Sequence, residues 1–316
     1  MCFVIVSYQI ISKGDNMTLS TTTDVLAKKF GHEKAIEMIS KAGFDAYDIC
    51  MSGIHLSNTK IGNSDYSNYI MYLKSVADAN GITCNQAHAP FPTQLNGNDE
   101  YNKKTFEMII RSMECASLLG AKIIVVHPIK NSSSSAAKKY NYKPFESKQQ
   151  LYNENIRFFK SLIPYCEKFN IKMAVENMWE RHPLHHDTLM PAFLGSSEEH
   201  TKFISELDSE WIVGCLDIGH SLICGEKPED AIRRLGKNQL KALHVHDCNG
   251  YEDSHTLPYT MKTDWHSILN ALGEIGYMGD FTFEASNFFV NYPDELIPTA
   301  LSYMCAIGRY MINQIR

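Results

Sequence analysis

Six short apolar runs in this chain each end on a histidine or a carboxylate: Gln86-Ala-His88, Val125-Val-His127, Ala174-Val-Glu176-Asn177, Val213-Gly-Cys-Leu-Asp217, Leu243-His244-Val-His246-Asp247 and Thr282-Phe-Glu284. A continuous apolar run of this length reads as a strand buried on both faces, and the polar residue falls where the strand runs out. Asp217-Ile-Gly-His220 adds an imidazole in the turn three residues further on. Strand ends that all carry potential metal ligands suit a parallel barrel whose C-terminal rim is the site.

Strand-like and helix-like runs alternate from Met17 onward. Strands are expected at residues 17–22, 44–49, 82–88, 122–127, 171–176, 211–217, 240–246 and 281–284. Helices are expected at 32–42, 69–80, 102–119, 148–170, 228–235, 265–275 and from 295 onward. Another starts at Ser196-Ser197, ahead of the acidic Glu198-Glu199. Glycines 43, 81, 120 and 276 stop four of these helices, and Pro164 is expected to kink a fifth. Eight strand–helix alternations without a break in composition predict an α/β chain with one (β/α)8 TIM barrel over residues 17–316. An open doubly wound sheet is the alternative, but no G-x-G-x-x-G turn follows the first strand.

Residues 1–16 read as an N-terminal extension. Met1 to Ile11 is apolar but lacks a basic leader and is too short to span a bilayer. Two long segments, residues 129–147 with Ser132 to Ser135 and Lys138-Lys139, and residues 177–195 rich in His, Pro and Trp, are expected to decorate or cap the site.

The net charge of −6 argues against a standing nucleic-acid partner, and no other segment approaches membrane-spanning length. Nine cysteines without a C-x-x-C pair read as reduced thiols of a cytoplasmic protein. Several carboxylates on one buried rim would repel one another without a cation. Asp, Glu and His donors without cysteine favour Mn²⁺, Zn²⁺, Co²⁺ or Mg²⁺ over a soft-metal centre.

Asp-x-x-His on the sixth strand, His-x-His-Asp on the seventh, and Phe-x-Phe-Glu after Gly-Tyr-Met-Gly on the last resemble the xylose-isomerase-like TIM barrels. Ala-Gly-Phe-Asp-Ala-Tyr-Asp, ending at Asp48, resembles the opening unit of the same superfamily, so the resemblance runs from Met17 to about Arg316. The superfamily includes sugar-phosphate isomerases, ketose 3-epimerases and the AP endonucleases of the endonuclease IV type. The epimerase pattern implies that Glu176, Asp217, His244 and Glu284 hold one metal. It also implies that Glu176 and Glu284 carry the substrate proton and that His220 lies near the substrate. His244 takes the ligand place ahead of His246 because it stands three residues before Asp247; His246 is then expected beside the substrate. The arginine that the epimerases carry after the seventh strand has no counterpart, since Cys248-Asn-Gly-Tyr-Glu stands there.

The endonuclease pattern is matched as well. It implies a multinuclear zinc site that adds His88, His127, His220, Asp253 and His255 to those four residues. Three readings therefore stand: a metal-dependent sugar or sugar-phosphate isomerase or epimerase, an AP endonuclease or other phosphodiester hydrolase, and a non-catalytic sugar-binding barrel. The first implies a small-molecule sugar as partner, with Mn²⁺ or Zn²⁺ foremost among the metals. The barrel's outer helices could support a homo-oligomer.

Overall fold

The computed structural model describes residues 17–55, 59–131, 143–181 and 189–315. The expected extension, 1–16, and most of the Ser/Lys-rich segment, 132–142, lie outside the described residues.

The chain alternates strands and helices in the order β1 (Leu19–Thr22), α1 (Asp24–Phe30), α2 (His32–Lys41), β2 (Ala46–Cys50), α3 (Tyr66–Ala79), β3 (Thr83–His88), α4 (Asp99–Leu119) and β4 (Ile123–Val126). It continues through α5 (Lys148–Phe169), β5 (Lys172–Glu176), β6 (Trp179–Arg181), β7 (Leu189–Pro191), α6 (Ser197–Leu207), β8 (Ile212–Asp217) and α7 (Ile218–Ile223). It ends with α8 (Pro228–Gln239), β9 (Leu240–Val245), α9 (Trp265–Glu274), β10 (Phe281–Phe283) and α10 (Ile297–Ile312). Eight strands close a parallel barrel in the order β1-β10-β9-β8-β5-β4-β3-β2. Helices surround it, so the fold is a TIM barrel, as the sequence predicts.

Alternation along each strand sets the two sides of the barrel wall. Ile124, Val126, Met173, Val175, Leu216, Leu243 and Phe283 belong to the large core that also takes in the helices. Val125, Ala174, Val213, Cys215 and Ala242 form a second, separate cluster. These inner residues are small, and each lies two or four positions before a strand-end polar group. Ala174 precedes Glu176, Cys215 precedes Asp217, and Ala242 precedes His244. The inner wall is therefore an apolar floor beneath a polar rim.

Four local features differ from the expectations. Helix α1 follows β1 directly, and Gly31, at φ 85°, separates it from α2. Helix α5 passes Pro164 as a single element, with that proline facing solvent. The segment after β5 contains a small antiparallel sheet, with Trp179 opposite Pro191 and Arg181 opposite Leu189. A short helix, α7, starts at once after β8 because Asp217 caps it, its Oδ1 accepting the His220 N–H at 2.7 Å. The expected stop of α8 at Leu235 falls where Gly236 leaves helical geometry, at φ 59° and ψ 174°.

Among the described residues no cysteine is in a disulfide, and no helix is long and apolar enough to cross a membrane.

Candidate metal centre

The inward column of each barrel strand carries its polar group to the same rim. Four candidate ligand groups form there, each with donor atoms within 4.8 Å of one another; one of them, Asp48, His88 and His244, reaches a layer deeper, and the other three lie on the rim itself. His88, His127 and Glu176 make the first. Glu176, Asp217, His244 and Glu284 make the second and share Glu176 with it. His220, Asp253 and His255 make the third. All nine residues named in the sequence patterns meet on this rim.

The histidines are oriented from behind. His88 donates through Nδ1 to Asp48 at 3.0 Å, His220 through Nδ1 to the Asn177 carbonyl at 2.8 Å, and His255 through Nδ1 to the Glu284 carbonyl at 2.8 Å. His244 Nε2 sits 3.1 Å from the amide nitrogen of Gln86, which also donates to Asp48 at 2.7 Å. In His88, His220 and His255, donating through Nδ1 leaves Nε2 to face the centre, as metal-bound histidines require.

Those facing atoms lack ordinary partners. His88 Nε2, His244 Nδ1, Glu176 Oε2 and Asp253 Oδ1 are buried without a hydrogen bond among the described residues. His127 Nε2 approaches Glu176 Oε2 to 2.9 Å, yet the pair is not aligned as a hydrogen bond. His244 Nδ1 lies 3.2 Å from Glu176 Oε1 and 3.3 Å from Glu284 Oε2. Orphaned lone pairs converging from histidines and carboxylates are the donor set of a divalent cation. The residues present therefore fit a metal.

The electrostatics agree. Burial alone would raise the Glu176 carboxyl, but the His244 and His127 imidazoles hold it well below the usual range. Asp217 is likewise pulled down against its burial by His220 and His246, and Asp253 by His220 and His255. Burial disfavours the charged form of His88 and His220, yet Asp48 for the first, and Asp217 with Asp253 for the second, push both up to about 10. Positive charge is strongly favoured at this rim, whether protons or a metal carry it.

His246 takes a different place. Its Nε2 lies 3.0 Å from Asp217 Oδ1, and its Nδ1 lies 3.2 Å from the Asp247 carbonyl. The ring is fully buried, stacks on His255 at 4.3 Å and covers Gly219. Both ring nitrogens of His246, the residue expected beside the substrate, thus face Asp217 and the Asp247 carbonyl in this structure. Asp48 and Gln86 are the residues the strand-end reading passed over. Both are fully buried one layer below the rim, inside strands rather than at their ends. Asp48 stands alone as a charged residue inside β2, whereas Gln86 is one of several polar residues along β3. Asn177 ties β5 to β8, its Oδ1 accepting the Asp217 N–H at 2.7 Å and its amide donating to the Asp217 carbonyl at 3.1 Å.

A parallel barrel with a rim of His, Asp and Glu donors defines a class of (β/α)8 proteins with a candidate metal centre at the strand ends. Within that class the chain belongs to the xylose isomerase-like TIM barrel family, which matches residues 36–306. It is 27% identical over 265 residues to the uncharacterised protein MJ1311 of Methanocaldococcus jannaschii, covering 80% of this chain and 78% of that one. Among solved structures it is similar to a D-tagatose 3-epimerase-like protein, with a TM-score of 0.68 and 21% identity over 94% of this chain and 99% of the other. A D-psicose 3-epimerase crystallised with D-fructose gives a TM-score of 0.70 and 17% identity, with the same coverage. At such identities these two likenesses speak for the fold.

Proposed function

We propose that this protein is a divalent-metal-dependent isomerase or epimerase of a sugar or sugar phosphate, moving a proton at a carbon next to a carbonyl. The observation that carries the reading is the pair of glutamates converging on one point: His244 Nδ1 lies 3.2 Å from Glu176 Oε1 and 3.3 Å from Glu284 Oε2. Glu176 is 1% exposed and Glu284 23%, so one is sunk in the floor while the other faces the opening. A substrate carbon between them meets a carboxylate on each face, one to accept a proton and one to return it. A divalent ion held by Glu176, Asp217, His244 and Glu284 would act as a Lewis acid, increasing the acidity of the C–H beside the carbonyl. Mn²⁺ and Zn²⁺ suit these donors best, and Mg²⁺ or Co²⁺ is compatible with them. His220, in the third ligand group, stands next to this space, with Trp179 edge-on to it at 6.3 Å between ring centres. The indole and its short sheet help to keep water from the reacting carbon. The likeness to a D-psicose 3-epimerase crystallised with D-fructose supports the substrate class.

A second reading, a phosphodiester hydrolase with several zinc ions, is favoured by the two further ligand groups, His88–His127–Glu176 and His220–Asp253–His255. One experiment separates the two. The protein supplied with Mn²⁺ or Zn²⁺ is incubated in deuterated water with a panel of ketoses and ketose phosphates, and in parallel with an oligonucleotide carrying an abasic site. The isomerase reading expects deuterium at the carbon beside the carbonyl, abolished by EDTA. Strand cleavage without exchange into any sugar would overturn it in favour of the hydrolase; sugar binding without either reaction would leave a binding barrel.

A further inference from the structure

Three residues past His127, the sequence His127-Pro-Ile-Lys130 brings a lysine to the mouth of the barrel. Its backbone is fixed from below. The fully buried Asn155 accepts the Ile129 N–H at 2.8 Å and donates to the Ile129 carbonyl at 2.9 Å. The side chain is fixed from above. Lys130 Nζ donates to the Trp179 carbonyl at 3.1 Å and lies 5.3 Å from the centre of the Phe91 ring and 5.0 Å from that of Trp179.

Each of those two rings touches a histidine of the candidate centre. Phe91 packs edge-on to His127 at 4.7 Å, beside the first ligand group, and Trp179 packs on His220, beside the third. The ammonium between them thus overlooks the rim. A second cation shares the indole: the Arg181 guanidinium is 5.6 Å from the Trp179 ring centre.

Lys130 makes no ion pair among the described residues, and its hydrogen bond to the Trp179 carbonyl uses one of three N–H groups. Burial draws the ammonium below the ordinary lysine range, and Glu180, Asp253 and Glu176 draw it back up. The remaining N–H groups of the Lys130 ammonium, beside a rim whose carboxylates a metal would neutralise, suit an oxyanion as acceptor. The rings offer an apolar face to the C–H groups of a sugar in the same space.

We propose that Lys130, held on the Phe91–Trp179 pair, selects substrates that carry an oxyanion, a phosphate ester or a carboxylate, and seats that group over the metal rim. This rests on the sugar reading above and narrows it to anionic sugars. Lys130 is a specificity residue in this account; the proton transfer stays with the glutamates.

The test uses the full metal-loaded chain and its Lys130→Gln and Lys130→Arg variants, each first shown to keep its metal content and melting temperature. Calorimetry measures binding of D-fructose, D-fructose 1-phosphate, D-fructose 6-phosphate, D-glucuronate and inorganic phosphate. The proposal expects at least one charged sugar to bind the wild type about tenfold tighter than D-fructose, a charge-assisted gain. Lys130→Gln should lose that gain while D-fructose affinity moves by less than about twofold, and Lys130→Arg should keep most of it. Whether a fructose phosphate or the uronate shows the gain tells a phosphoryl from a carboxylate preference. Equal binding of charged and neutral sugars to the wild type, or a preference retained by Lys130→Gln, would overturn the proposal. So would an equal loss for every probe, which would mean a structural role. Inorganic phosphate separates this failure from that of the sugar reading. Lys130-dependent phosphate binding without any sugar binding keeps the oxyanion subsite and discards the sugar; phosphate binding indifferent to Lys130 discards the subsite.

Discussion

Glu176 and Glu284 occupy equivalent strand ends, yet they differ in what surrounds them. Glu176 is shared by two ligand groups and nearly sealed, whereas Glu284 borders the open mouth. Replacing either with glutamine keeps the shape but removes the base. In an enzyme of the proposed kind each substitution should lower turnover by at least about a hundredfold, the lower range for an acid–base group. The loss should remain in saturating Mn²⁺ or Zn²⁺; full recovery in both variants would reduce the glutamates to ligands alone. The histidines give a second prediction at this scale. His88 and His220 hold their protons up to about 10, above the ordinary 6.5. Chelator-treated protein therefore carries both protons at neutral pH, and metal binding, which needs neutral imidazoles, must release them. Titration calorimetry in two buffers of different ionisation enthalpy should show that release, and affinity should rise with pH. Because the folded values are raised, their stabilisation of the chelated protein is complete below pH 6.5 and is lost as pH climbs through about 10. A melting temperature in EDTA that rises over this alkaline range would contradict the assignment.

The turn from β8 into α7 shows how tightly one element is built around the site. Asp217 ends the strand, caps the helix and receives His246, and Gly219 lies directly beneath that imidazole. A Cβ at Gly219 would stand 2.1 Å from His246 Cε1, so Gly219→Ala must push the ring off Asp217. The expected cost is about 1–3 kcal/mol of stability for an overpacked core position, together with weaker metal binding. Urea unfolding and chelator competition measure the two effects, and an unchanged metal affinity would show that His246 does not position Asp217. Strand positions were legible in the sequence because each apolar run ends on a polar residue and the side chains alternate. The same alternation explains why Ala174, Cys215 and Ala242 lie in one inner layer with ligands above them. Asp48 and Gln86 were hidden because they sit inside strands rather than at their ends, where a carboxylate or an amide gives no sign of its partner until β2 and β3 pair. The pair β6–β7 was also hidden: three residues per strand carry no periodicity, and their pairing spans the chain between 181 and 189. Lys130 gave no signal of its own, since its setting comes from Phe91 and Trp179, far apart in sequence.

At the scale of the molecule, the barrel closes through β1 and β10, with Leu19 opposite Phe281 and Thr21 opposite Phe283. No strand of the eight begins before Leu19, which leads to a prediction about residues 1–16. Their removal should leave the melting temperature and metal content unchanged, whereas a large drop in melting temperature would make the segment integral to the fold. The nine rim residues come from β3, β4, β5, β8, β9 and β10 and from the loops after them, so the centre exists only when the barrel is closed. The property proposed for it is the capture of divalent metal by Glu176, Asp217, His244 and Glu284, with the flanking groups as further candidate sites. The most direct measurement is elemental analysis of the protein purified without chelator, before and after incubation with Mn²⁺ or Zn²⁺. The account predicts at least one tightly held divalent ion per chain, rising toward three if the flanking groups fill with zinc, and a loss of the central ion in a Glu176→Ala, Asp217→Ala double variant. A chain that stays metal-free after incubation with either ion would contradict it.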